Sequence, residues 1–146
     1  MINQSRVNDA VACFESGFNC SQAVFCTYCD EFGVDKDTAL KIACGLGAGM
    51  GRLQETCGAV SGAYLLIGLK HGRGLSDDNS RKEKTYSLVR EFAKRFEERN
   101  GTTSCRELLG IDLMTAEKQA ASERVKAVCP KAVRDAAEII EELLFG

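Results

Sequence analysis

The chain has 146 residues, of which 45% are hydrophobic and 27% charged, with 19 Lys and Arg against 21 Asp and Glu. This length suffices for one domain with a substantial core, so we expect residues 1–146 to form a single domain. The net charge of −2 and the interleaving of both signs argue against nucleic acid as a partner, because phosphate binding needs clustered cations.

The first twenty residues are polar and lack the pattern of a signal peptide. The longest apolar segment, residues 59–69, is too short to cross a bilayer. We therefore expect a cytoplasmic protein without membrane contact. The chain holds 8 cysteines, and stable disulfides are uncommon in a reducing compartment, so packing residues, metal ligands and catalytic thiols remain as interpretations.

Apolar residues recur at helical spacing, and no long segment alternates as a strand does. The pattern predicts an all-α fold, a compact helical bundle of about six to eight helices. In the first half of the chain, the pattern predicts a first helix over about Asn3–Ser16 and a second from an Asn19 cap to Gly33. A third is predicted from an Asp35 cap to a glycine-rich turn at 45–51, and a fourth over about Thr56–Lys70. Small residues at 58/62 and 59/63 predict that another helix packs closely on the fourth.

In the second half, Ser76 or Asp77 is the predicted cap of a helix that runs to about Arg99. Ser104 and Glu107 have the spacing of a capping box and predict a short sixth helix. The pattern then predicts a seventh helix from a Thr115 cap to about Val128. An eighth would follow with Pro130 in its first turn, which makes Cys129 its cap.

The turn at 45–51 carries four alternate glycines, which are costly inside a helix and indicate a tight bend or a close approach. The backbone N–H groups of Gly47, Gly49 and Gly51 are candidate donors to a bound group. A dinucleotide site is disfavoured because the turn follows a helix rather than a strand.

Four cysteines fall at or near predicted helix starts, where backbone N–H groups and the helix dipole favour a thiolate. They are Cys20, Cys57, Cys105 and Cys129. If short loops make successive helices alternate in direction, the second, fourth, sixth and eighth helices begin at the same end of the bundle. We therefore expect these four thiols and the glycine turn to meet there.

The other four cysteines, Cys13, Cys26, Cys29 and Cys44, are predicted inside helices or at a helix end, where free cysteine usually acts as an apolar packing residue. Cys26 and Cys29 have C-x-x-C spacing, but redox pairs favour helix starts and this pair lies mid-helix. Residue 30 is aspartate, so the pair is not a haem attachment site.

The segment from Cys57 to Gly62 reads C-G-A-V-S-G, downstream of Cys20 and upstream of Cys105 and Cys129. This order resembles the C_GCAxxG_C_C family of small redox-active proteins, over about residues 15–130. The resemblance implies an all-helical redox protein. A further similarity, to the iron–sulfur part of split-Soret cytochromes, implies a cluster held by those four cysteines. Their haem does not carry over, because the chain has no C-x-x-C-H and one histidine, His71.

Four interpretations stay open at this point. The four cysteines bind an iron–sulfur cluster for electron transfer, with an unidentified redox partner protein. Alternatively, they perform thiol–disulfide chemistry, with Cys57 as the candidate nucleophile. They could also hold a structural zinc ion, or be inert thiols in a helical interaction protein. The predicted fourth helix has a face of small residues and the last helix is rich in apolar residues. These two surfaces make a homodimer plausible.

Overall fold

The computed structural model describes residues 2–146, and within them there are helices but no β-strands. The all-α prediction is confirmed. The helices are α1 (Val7–Glu15), α2 (Cys20–Tyr28), α3 (Lys36–Cys44), α4 (Gly58–His71), α5 (Asn79–Asn100), α6 (Cys105–Leu109) and α7 (Lys118–Ile140). A 3₁₀ turn, Cys29–Phe32, follows α2, and a π-helical turn, Glu141–Phe145, follows α7. Over the same residues, none of these helices combines the length and hydrophobicity that crossing a bilayer requires.

Helix starts follow the capping residues of the sequence. The Asn19 side chain accepts from the N–H of Gln22, and the Gln22 side chain accepts in return from the N–H of Asn19, which completes a capping box. Asp35 and Ser104 cap α3 and α6 as predicted. Helix α5 starts later than predicted, because Asp78, rather than Ser76 or Asp77, accepts from the N–H of Ser80.

The core forms around α2 and α4, the pair of helices in most extensive contact. Val24 and Phe25 of α2 and Leu66 and Ile67 of α4 are buried together. The two backbones approach closely, because a Cβ placed on Gly62 would lie 2.7 Å from the carbonyl oxygen of Ser21. The stripe of small residues on α4 therefore serves tight helix packing, as the sequence predicts.

The prediction of two helices after residue 115 is wrong, because α7 runs unbroken from Lys118 to Ile140 with Pro130 inside it. Thr115 is not a helix cap, and Cys129 lies in the middle of the helix rather than at its start. An interior proline costs about 3 kcal/mol. Burial offsets this cost, since the turns after Pro130 bury a continuous apolar face that packs on α1, α2 and α4.

Candidate redox site

The turn between α3 and α4 is left-handed. In this turn the N–H groups of Met50 and Gly51 donate to the carbonyl groups four residues earlier, as in a helix. The backbone dihedral angle φ, however, is positive at consecutive residues. The non-glycine residues with positive φ are Ala48 (54°), Met50 (71°), Arg52 (69°) and Gln54 (57°). Side chains disfavour this conformation by about 1–2 kcal/mol per residue. Such strain persists only where surrounding contacts enforce it.

Gln54 supplies the main side-chain contacts that hold this turn. Its side chain is 3% exposed, and its amide donates to the carbonyl of Ile111 at 2.8 Å and accepts from the N–H of Leu113 at 2.7 Å. These bonds join the turn to the loop between α6 and α7. The sequence analysis did not find Gln54, because its partners are backbone groups almost sixty residues away.

Backbone pairing then fixes two cysteines side by side. Residues 54–57 run antiparallel to residues 103–106, with an isolated bridge between Thr56 and Ser104. The N–H of Cys57 donates to Thr103, and the N–H of Cys105 donates to Glu55, both at 2.7 Å. The starts of α4 and α6 are thus held together by main-chain hydrogen bonds.

Two glycines let the backbone approach the cysteines. A Cβ on Gly49 would lie 2.7 Å from Cβ of Cys105, and a Cβ on Gly58 would lie 2.5 Å from Sγ of Cys20. Both distances are too short for any side chain. The glycines at these positions are therefore required by the close fit around the thiols.

All four predicted cysteines line one cavity of about 120 Å³. Apart from them and Asn19, its walls are glycine and apolar residues. They are Phe14, Ala48, Gly58, Leu108, Leu109, Leu113, Val125, Val128 and Ala132. Cys20, Cys57 and Cys105 are 7%, 5% and 7% exposed, and Cys129 is half-buried.

Three of the four thiols sit at helix starts as predicted: Cys20 and Cys105 are the first residues of α2 and α6, and Cys57 precedes the first residue of α4. Cys129 reaches the cavity differently. It projects from the middle of α7, next to Val125 and Val128. It lines the cavity because α7 passes across it.

Cys20 and Cys57 form a coupled pair of thiols. Hydrogen bonding from the Cys57 thiol lowers the pKa of Cys20 to about 6, against the opposing effect of burial, and backbone N–H groups including that of Ala48 lower it further. The same contact with Cys20 raises the pKa of Cys57, and burial adds to this rise. The pair therefore favours Cys20 as the thiolate, whereas the sequence analysis assigned that role to Cys57.

The other two cavity thiols favour the protonated form. Burial raises the pKa of Cys105 to about 11, and the negative charge of Cys20 contributes. Burial also raises the pKa of Cys129 to about 12, with contributions from Cys20 and Cys105. Of the four cavity thiols, Cys20 is therefore the most acidic.

The glycine turn supplies one backbone donor to a cavity thiol, and Gly47 and Gly49 remain candidate donors to a bound group. The N–H of Ala48 stabilises the Cys20 thiolate, whereas the N–H of Gly51 donates to the carbonyl of Gly47 within the turn. Across residues 2–146, no three or more Cys, His, Asp or Glu side chains are gathered as ligands of a metal ion.

The remaining cysteines lie outside the cavity. Cys26 and Cys29 are buried as the packing prediction requires, and Cys13 is half-buried. That prediction is wrong for Cys44, which is exposed at the end of α3.

The fold and the cavity define a small all-helical protein with a four-cysteine centre. The chain belongs to the C_GCAxxG_C_C family, because the family model described as "Putative redox-active protein (C_GCAxxG_C_C)" matches residues 18–143. This match confirms the resemblance seen in the sequence and includes all four cavity cysteines. Neither the curated proteins nor the solved structures gave a significant match to the chain.

Proposed function

We propose that the protein transfers electrons through an iron–sulfur cluster held by Cys20, Cys57, Cys105 and Cys129. The observation that carries this proposal is that the four thiols line one cavity of about 120 Å³ whose other walls are largely apolar. Iron–sulfur clusters are held by four cysteine thiolates. Membership of a family described as redox-active supports the same assignment.

A single zinc ion and a cluster make different demands on four thiols around one cavity. Zinc binds thiolates at about 2.3 Å, which brings four sulfurs to roughly 3.8 Å from one another. No such group of ligands exists among the described residues, although four thiols surround one space. A cluster would add its own iron and sulfide atoms between the thiols, so the presence of a cavity between them favours a cluster over a single ion.

The chain contributes the environment of the cluster. The N–H of Ala48 and the start of α2 stabilise negative sulfur at Cys20. Apolar side chains from α6 and α7 line much of the cavity. When bound, the cluster would accept and return single electrons. Protein hydrogen bonds and burial of this kind set the potential at which it does so.

The Cys20–Cys57 pair favours a second candidate, a dithiol that acts without metal. Its specific support is the pKa of Cys20, which the neighbouring Cys57 thiol lowers to about 6. Oxidation would join the two sulfurs and pass two electrons and two protons to a redox partner. Burial weighs against direct attack on another protein, because both thiols are at most 7% exposed.

Anaerobic purification tests the two candidates together. We expect the wild-type protein to be coloured and to contain iron and acid-labile sulfide in equal amounts. Cys20→Ser should lose most of both, whereas Cys44→Ser, which changes an exposed thiol outside the cavity, should retain them.

A colourless wild-type protein without iron, prepared under the same conditions, would refute the cluster. If that protein also formed a reversible Cys20–Cys57 disulfide, the dithiol would replace it as the function.

A further inference from the structure

A second group of thiols lines an open groove separate from the four-cysteine cavity. The groove has a volume of about 650 Å³ and lies between α1, α2 and the start of α3. Three cysteines, Cys13, Cys26 and Cys29, are part of its wall. None of them lines the cavity, and neither the family description nor the proposed cluster gives them a role.

Two of these thiols are in direct contact. Sγ of Cys13 on α1 lies 3.7 Å from Sγ of Cys26 on α2. A disulfide requires about 2.05 Å between the two sulfurs, so the two side chains must rotate closer together to form one. Cys29 is engaged elsewhere, because its thiol donates to the carbonyl of Cys26 at 3.4 Å. The pair that can join is therefore Cys13–Cys26 rather than the C-x-x-C pair.

The two sulfurs differ in the way that an attacking and a resolving cysteine must differ. Cys13 is half-buried beside the groove, whereas Cys26 is 4% exposed. Burial raises the pKa of Cys26 to about 12, and the neighbouring Cys13 raises it further. Lys36, on the same groove wall, lowers the pKa of Cys26. Once Cys13 is bonded to another sulfur, its charge and hydrogen bond no longer oppose ionisation of Cys26.

The groove has the size and chemistry of a small-molecule site. Pockets for such ligands commonly measure about 300–1,000 Å³. Phe18 and Leu40 provide apolar wall, while Lys36 and Asp9 place both charges beside it. A small disulfide that carries amine and carboxylate groups matches this lining. The groove is also roomier than the four-cysteine cavity, at about 650 Å³ against about 120 Å³.

We propose that Cys13 and Cys26 form a second thiol–disulfide site, which reacts with a low-molecular-weight disulfide bound in the groove. The Cys13 thiolate attacks one sulfur of the ligand, which forms a mixed disulfide and releases the first ligand thiol. Cys26 then loses its proton and attacks Sγ of Cys13, which releases the second ligand thiol. The two cysteines become one disulfide, and the ligand gains the two electrons and two protons. The same exchange run backwards with two small thiols restores the dithiol.

This site does not depend on the cluster. Its residues come from α1 and α2 and share no side chain with the four cavity cysteines. A protein that proved free of iron would leave the groove chemistry unaffected, and the absence of exchange in the groove would leave the cluster unaffected.

The test uses the full-length reduced protein, glutathione disulfide as the probe, and peptide mass mapping of each cysteine. In the wild type we expect loss of the free thiols of Cys13 and Cys26, a disulfide between them, and no lasting adduct on either. Cys26→Ala should instead accumulate the glutathione adduct on Cys13. Cys13→Ser should leave Cys26 as a free thiol.

Two further thiols provide matched controls. Cys29→Ser should still form the Cys13–Cys26 disulfide, because the Cys29 thiol is hydrogen-bonded to the carbonyl of Cys26 rather than to either reacting sulfur. Cys44 is exposed and should carry a glutathione adduct in every variant, which reports that the probe was active. A Cys26–Cys29 disulfide in the wild type, or an unmodified Cys13–Cys26 pair while Cys44 reacts, would overturn the proposal. If Cys26→Ala does not fold, the wild-type and Cys13→Ser results decide alone.

Discussion

The four-cysteine cavity and the groove contain the same functional group in opposite surroundings. In the cavity, four thiols from distant parts of the chain line one largely apolar space of about 120 Å³, and a strained turn and two glycines allow them to approach. In the groove, two thiols touch directly at an open surface, on ordinary helices. Four thiols around one small apolar space suit a resident cluster and electron transfer, whereas two thiols beside a groove large enough for a small molecule suit exchange of covalent bonds.

The largest difference between the two regions should appear when a methyl group is added beside Cys20. In Gly58→Ala the new Cβ would lie 2.5 Å from Sγ of Cys20. We expect loss of bound iron and a fall of about 1–3 kcal/mol in the free energy of unfolding, as for other overpacked sites. Iron analysis and denaturant unfolding measure both.

Gly68→Ala is the matched control on the same helix, because nothing lies within 4 Å of its Cβ position. It should retain iron and gain up to about 1 kcal/mol from helix propensity. Equal iron content in the two variants would show that Gly58 does not shape the cavity.

The strained turn provides the next test. Gln54→Ala leaves the part-buried carbonyl of Ile111 and the N–H of Leu113 without their partner. We expect a loss of about 1–3 kcal/mol in the free energy of unfolding, together with weaker retention of iron. The Cys13–Cys26 exchange should be unchanged.

Gln119→Ala, which removes an exposed amide bonded to Glu123, should alter stability by less than about 0.5 kcal/mol. If Gln54→Ala behaved like this control, the left-handed turn would not depend on Gln54.

Thiolate titration compares the two regions by proton affinity. The pKa of Cys20 is lowered, so its thiolate is present above about pH 6 and is lost below it. We expect the metal-free wild type to show more ultraviolet thiolate absorbance at pH 7 than Cys20→Ser. In Cys57→Ala this absorbance should appear at higher pH, because the donor that lowers the pKa of Cys20 is gone.

Cys26→Ala should leave the absorbance at pH 7 unchanged, since burial raises the pKa of that thiol to about 12. A midpoint that is identical in wild type and Cys57→Ala would contradict the coupling of the cavity pair.

The smallest effect concerns the charge beside the groove. Lys36 lowers the pKa of Cys26, so Lys36→Gln should slow closure of the Cys13–Cys26 disulfide. Partly exposed charge interactions of about 0.2–1 kcal/mol correspond to roughly a 1.5- to 5-fold change in rate. Lys41→Gln, on the exposed side of the same helix, should leave the rate unchanged. Alkylation of the remaining free thiols at successive times, followed by mass mapping, measures the rate. Equal rates in both variants would show that Lys36 does not assist closure of the disulfide.

Much of the fold follows from local sequence signals. The caps at Asn19, Asp35 and Ser104 were predictable because each bonds an N–H group within three residues. The small-residue face of α4 was equally readable, since it depends on side-chain size alone. The continuity of α7 through Pro130 could not be predicted in this way, because burial of the apolar face that follows the proline keeps the helix unbroken.

The candidate site was predictable in part. Cys20, Cys57 and Cys105 could be placed by their positions at helix starts, whereas Cys129 was assigned to a helix start that does not exist. The left-handed turn could not be predicted from its alanine, methionine, arginine and glutamine, because hydrogen bonds to residues 111 and 113 help hold it. The contact between Cys13 and Cys26 likewise depends on how α1 packs against α2, which no spacing in the sequence records.

X-ray absorption at the iron edge of the anaerobically purified protein tests the central claim most directly. If the cavity holds a cluster on four thiolates, each iron should have only sulfur neighbours in its first shell and at least one iron in the next. Iron surrounded by oxygen or nitrogen ligands without a neighbouring iron would contradict the assignment of the cavity as a cluster site.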